Sequence, residues 1–103
     1  MKNRIFNLYA DFVCDACGIL KKDLFGKSSI QLFSNARHML FYICSQRPMK
    51  VVEIYNLCID NQYPLTRQSI DYGIEKIKNS IDNSENKEMR ILIDSCLDKF
   101  KDE

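Results

Sequence analysis

The sequence predicts an all-α protein, a five-helix bundle that contains a helix-turn-helix. Three observations predict it. Glycine and proline number only 3 and 2 in 103 residues, too few for the frequent turns of a β-sandwich. Apolar residues recur at i, i+3, i+4 and i+7 through most of the chain, the period of one buried helix face. The breaks between these stretches are short and polar, so the helices pack with mostly local contacts. A chain of this length fits one domain. With 46% hydrophobic residues it can fill one modest core without a metal or a disulfide.

The first helix is expected over about residues 3–17, with Ile5, Leu8, Tyr9, Phe12, Val13 and Ala16 on its buried face. Gly18 is placed to end it in a left-handed cap. In the connector that follows, residues 21–24 can form a single turn, which Gly26 would break. The second helix starts at Ser28 or Ser29, either of which can cap free backbone N–H groups. Its core face is Phe33, Ala36, Leu40, Ile43 and Cys44, widened by Met39 and Phe41. A helix apolar over so wide an arc is central and touched on more than one side. Arg47-Pro48 stops it.

The third helix is short, about residues 50–58, with Val51, Ile54, Leu57 and Cys58 inward. A polar turn from Ile59 to Pro64 leads to the fourth helix, about residues 66–81, capped by Thr66. Ile70, Ile74, Ile77 and Ile81 form its core stripe, which forces Gln68, Asp71 and Glu75 to other faces. Residues 83–86 break the chain again. The fifth helix, about residues 86–101, turns Met89, Leu92, Ile93, Cys96, Leu97 and Phe100 inward.

Charge and cysteine usage restrict the function classes. Net charge is +1, from 15 Lys and Arg against 14 Asp and Glu, so a nucleic-acid role must rest on local clustering of charge. The 5 cysteines form an odd set, no secretory signal is visible, and no stretch is apolar enough to span a membrane. Free thiols in a cytoplasmic protein are the expectation.

The helix-turn-helix of the third and fourth helices carries the functional signal. Such a pair presents the start of its second helix to a DNA groove. Thr66 and Ser69 can bind phosphate or base edges, Gln68 can pair with adenine, and Arg67 with guanine or phosphate. Lys27, Arg37, Arg47 and Lys50 are candidates for flanking phosphate contacts. Polar residues at a helix start are also expected on capping grounds alone. The signal therefore lies in the order of several blocks rather than in one residue.

Those blocks are Asp23-Leu24 with Gly26-Lys27, Ala36-Arg37-His38, Glu53-Ile54, Ser69-Ile70 and Lys76-Ile77. Together, from about Phe12 to Ile81, they resemble the C-terminal DNA-binding domain of the bacterial DnaA replication initiator, whose fold is related to that of the Trp repressor. The resemblance implies a helix-turn-helix fold and double-stranded DNA as partner. Tyr55 stands where that family has a glycine, and Leu65, Thr66 and Arg67 stand where it has Arg-Asp-His. The connector after Lys27 has no arginine, and the turn between the pair is longer. The ATPase module of the whole initiator is not expected, because no Gly-rich phosphate loop is present.

Other constellations are weaker. Cys14 and Cys17 form a C-x-x-C at a helix end without the further ligands of a zinc site or the β-α-β context of a redox site. His38 has no partner at the spacing of a catalytic triad, and a packed, hydrogen-bonded histidine is expected. Asp94, Asp98, Asp102 and Glu103 alternate with Lys99 and Lys101 as a solvated face. No cofactor, metal or small-molecule substrate is expected. The expectation is thus a non-enzymatic DNA-binding protein regulating replication or transcription, of bacterial or phage type, nucleoid-associated or in host cytoplasm or virion. The rival is a protein-interaction or structural module on the same scaffold. The helix beyond the family core either closes the bundle or exposes its stripe to form a homodimer.

Overall fold

The computed structural model describes residues 2–28, 30–83 and 87–103. Among them the chain forms six helices and no strand: α1 Lys2–Cys17, α2 Lys21–Leu24, α3 Gln31–Gln46, α4 Val51–Asp60, α5 Arg67–Asp82 and α6 Lys87–Lys99. The five long helices are those read from the sequence, and α2 is the expected single turn. The expected cap at Ser29 and the break at residues 84–86 lie outside the described residues. At the start of α3 the cap position is Ile30, with no side-chain bond, and Ser28 Oγ accepts from the Ile30 N–H at 3.3 Å. The helix therefore begins later than its serines implied.

Helix ends follow the local chemistry. Gly18 adopts φ +67, and the Ile19 N–H donates to the Cys14 carbonyl at 3.1 Å, the long closing bond of a left-handed cap. The end of α4 has the same geometry without a glycine. Gln62 takes φ 63, while Gln62 N–H donates to Ile59 O and Tyr63 N–H to Cys58 O, both at 2.9 Å. These two bonds satisfy carbonyls that a helix end otherwise leaves free.

α3 lies at the centre and meets each of the other five helices. Its buried residues are Ala36, Arg37, Met39, Leu40, Phe41, Ile43 and Cys44, as wide an arc as its apolar pattern implied. Phe33, expected in the core, sits half-exposed outside the main cluster. In α1 the buried face is rotated from the expected one. Phe6, Ala10 and Cys14 join Ile5, Tyr9 and Val13 inside, whereas Ala16 is exposed. The reason is that α1 packs against α3 on one side and reaches α4, α2 and α6 on others.

The most extensive helix contact is α3 against α5. It rests on Gly73. A Cβ at this position would stand 2.7 Å from His38 Cδ2 and 3.1 Å from Phe41 Cδ2, inside van der Waals contact. Mid-helix glycine normally costs about 1 kcal/mol relative to alanine. Here it lets α5 approach two rings of α3. Gly73→Ala is expected to destabilise the fold by roughly 1–2 kcal/mol, overpacking outweighing the gain in helix propensity. Chemical denaturation checks this, and adding His38→Ala should restore most of the loss. Stabilisation by Gly73→Ala alone would show that the seam has slack.

Candidate nucleic-acid interface

The start of α5 is built as the sequence implies. Thr66 is the N-cap, and its hydroxyl accepts from the Ser69 N–H at 3.2 Å and lies 3.0 Å from the Ser69 hydroxyl. Thr66, Arg67, Gln68 and Ser69 are all exposed, and no acidic residue stands in the first turn. Arg67 is less free than a surface arginine, since its guanidinium lies 5.3 Å over the Tyr55 ring of α4. This stacking fixes its direction at low entropic cost. A helix start with this cap and no acid can take a phosphate oxygen or present hydroxyls and an amide to a base edge.

Arg37 is not part of that surface. It is 7% exposed, and its guanidinium donates to four backbone carbonyls. Nε donates to Leu24 at 2.6 Å, Nη1 to Ser28 at 2.8 Å, and Nη2 to Gly26 at 2.8 Å and Asp23 at 3.0 Å. The expected phosphate contact is therefore an internal clamp that closes the α2–α3 connector onto α3. Its charge also lies 5.4 Å from the Tyr63 ring, and burial raises the Tyr63 phenol pKa in spite of it. Tyr63 in turn packs on Phe25 at 6.0 Å, and Phe25 stacks on Phe6 at 5.9 Å. One chain of contacts thus joins α1, the connector that carries Lys27, α3 and the turn entering α5.

Arg47 also turns inward. Its Nη1 donates to the Phe100 carbonyl at 2.7 Å and to the Tyr9 hydroxyl at 3.2 Å, so it ties the end of α3 to α1 and α6. Lys50, the N-cap of α4, is exposed, and its N–H donates to Glu53 Oε1 at 3.0 Å. Glu53 also pairs with Lys2. Arg47 and Lys50 lie at the α3 C-terminus, with α4's 10 residues, about 15 Å, between Lys50 and the Tyr63 turn. The connector that carries Lys27 is tied through Arg37 to Tyr63, three residues before Thr66, whereas Arg47 and Lys50 flank the start of α4. Of the five basic residues, Arg37 and Arg47 direct their guanidinium donors to internal carbonyls.

Sequence reading missed Tyr72. It is 62% exposed, yet held edge-on against His38 at 5.7 Å, with Lys76 Nζ 5.8 Å over its ring. The signal available was its spacing of three and four residues from Ser69 and Lys76.

His38 is packed as expected but not hydrogen-bonded, for its buried Nδ1 has no partner. Burial lowers its pKa first, and the charges of Lys76 and Arg37 lower it further. The cysteine thiols are shifted upward. Burial drives Cys58 and Cys96 up to about 12 and Cys14 to about 11, and raises Cys17 and Cys44 as well. Among the described residues, no three His, Cys, Asp or Glu side chains meet as a metal site, and no helix is long and apolar enough to cross a membrane. Of the acidic C-terminal face, Asp94 pairs with Arg90 at 3.3 Å and Asp98 with Lys101 at 3.5 Å.

Two open clefts flank Arg47. One of about 290 Å³ is lined by Lys2, Ile5, Pro48, Met49 and Glu103, the other of about 420 Å³ by Tyr9, Gln46, Leu97 and Lys101. Neither sets a nucleophile beside a base. No family model, curated protein or solved structure matches the chain.

The lowered His38 pKa has a consequence for stability. The unfolded chain takes the proton more readily, so stability rises with pH across this range. It should be fully present above the ordinary value of 6.5 and decline as pH falls from there through the folded value. Denaturation midpoints between pH 7.5 and 5 check this, with His38→Gln expected to flatten the decline.

Proposed function

We propose that the protein is a small double-stranded DNA-binding module of the helix-turn-helix kind, similar in plan to the DnaA C-terminal domain, that acts by occupying a site and performs no catalysis. α5 is the reading helix. The observation that carries this reading is the acid-free, exposed turn Thr66–Ser69. It follows a companion helix and is held in place through the α3–α5 seam. Gln68 supplies donors for base edges, Arg67 donors for guanine or phosphate, and the hydroxyls of Thr66 and Ser69 supply phosphate or base contacts. Lys27 and Lys50 add phosphate charge. Regulation of replication or transcription is the corresponding role, in a bacterium or a phage.

The electrostatics make this a modest binder. Arg37 and Arg47 bond internally, which leaves two or three cations near the reading turn. A monomer should then show a slope of log K against log salt of about −2 to −3. A homodimer would double that slope and select a palindromic site.

A second reading has its own support. α4 holds two acidic residues and no basic one, and α5 holds three of each. A helix-turn-helix so nearly neutral also suits a protein-interaction module without DNA.

Selection from random duplex DNA at two salt concentrations separates the readings. DNA reading predicts enrichment of one sequence, salt-sensitive binding, and loss in the Arg67→Ala, Gln68→Ala variant. No binding at low salt would overturn it and leave the interaction module.

A further inference from the structure

α5 has two exposed sides, one of mixed charge and one free of acid, and the acid-free side suits DNA better. The direction of each follows from its contacts. Gly73 faces His38 and Phe41 of α3, Arg67 leans on Tyr55 of α4, and Ile70 and Ile77 point to the core. At 100° per residue, Asp71, Glu75 and Asp82 fall within about 40° of one another on the side toward α4. All the acidic residues of α5 are there. Ser69, Tyr72 and Lys76 fall within about 60° of one another on the side toward α3, and all three are exposed.

The surface across the seam continues the same character. α3 has no acidic residue. Its exposed Gln31 and Asn35 are joined through Nε2 and Oδ1 at 2.8 Å, and His38 borders Tyr72. α4, on the other side, contributes Glu53 and Asp60. The acids of α5 thus share the flank toward α4 with Arg67 and Lys78, and the flank toward α3 is free of acid. The α3-facing flank offers hydroxyl, amide, aromatic and ammonium groups.

We propose that Tyr72 and Lys76 belong to the DNA contact, so that the α3-facing flank of α5 is the side that enters the groove. This deepens the DNA-binding reading and rests on it. Lys76 pairs with a phosphate. The Tyr72 ring, fixed by the edge of His38 and by Lys76 above it, meets an apolar base edge such as a thymine methyl. A side chain already held in one direction loses little entropy on binding. Gln68 then works from the border between the two flanks, Arg67 on the α4 side of the helix start reaches a backbone phosphate, and Asp71 and Glu75 stay outside the base contact.

The test measures affinity and salt slope for the selected duplex with four variants. Tyr72→Ala should weaken binding about tenfold, and its loss should concentrate on sequences with thymine at one position. Tyr72→Phe, which keeps the ring, should bind as wild type. Lys76→Ala should weaken all sequences alike and reduce the salt slope by about 1. Asp71→Ala with Glu75→Ala should leave binding unchanged. All these residues are exposed, and an unchanged melting temperature confirms that each variant is folded. Sequence-specific wild-type binding with Tyr72→Ala and Lys76→Ala both unaffected would overturn this assignment and leave the DNA reading intact. No binding by wild type would overturn both.

Discussion

The Arg37 guanidinium is the contact on which the rest of the structure depends. A planar fork of donors in a buried position is costly unless the donors are matched. Here four carbonyls from Asp23, Leu24, Gly26 and Ser28 match it. The carbonyls themselves belong to the end of α2 and the following connector, where Asp23 O also accepts the Gly26 N–H at 3.3 Å and the guanidinium supplies donors to the others. One side chain therefore resolves two problems. It also sets the position of Tyr63, and so of the turn that delivers α5.

On that frame, α3 acts as a hub and α5 as the element it presents. The close seam at Gly73 fixes α5 against His38 and Phe41, which leaves the first turn of α5 and two of its flanks in solvent. The fold thereby keeps acid off the side of α5 that borders α3. Acidic residues of α4 and α5 gather on one side, and the seam with α3 is free of them. A net charge of +1 conceals this arrangement, and it is the arrangement that a polyanion would meet.

Much of the fold was legible because helix period and capping are local. Ile70 and Ile77, the Thr66 cap and the left-handed Gly18 all follow from residues a few positions apart. What was not legible depends on tertiary partners. Arg37 reads as a surface charge by type, yet it lies between Ala36 and Leu40 on the buried arc of α3, and only the carbonyls of a distant connector explain why charge is tolerated there. Arg47 is drawn inward by the Phe100 carbonyl, 53 residues away. Ala16 and Phe33 fit their helical stripes and still lie outside the core, because no helix covers those sectors. Of the eight candidate residues, Thr66–Ser69 are exposed at the start of α5, and Arg37 and Arg47 are bonded inside.

The most direct test of this account is the unfolding free energy and DNA salt slope of Arg37→Lys. Lysine keeps the charge and loses the fork, so it cannot bridge the four carbonyls. The account predicts a loss of roughly 2–4 kcal/mol in stability, with the salt slope of the folded fraction unchanged. A variant of wild-type stability would contradict it, and would show that the four carbonyl bonds do not hold the connector.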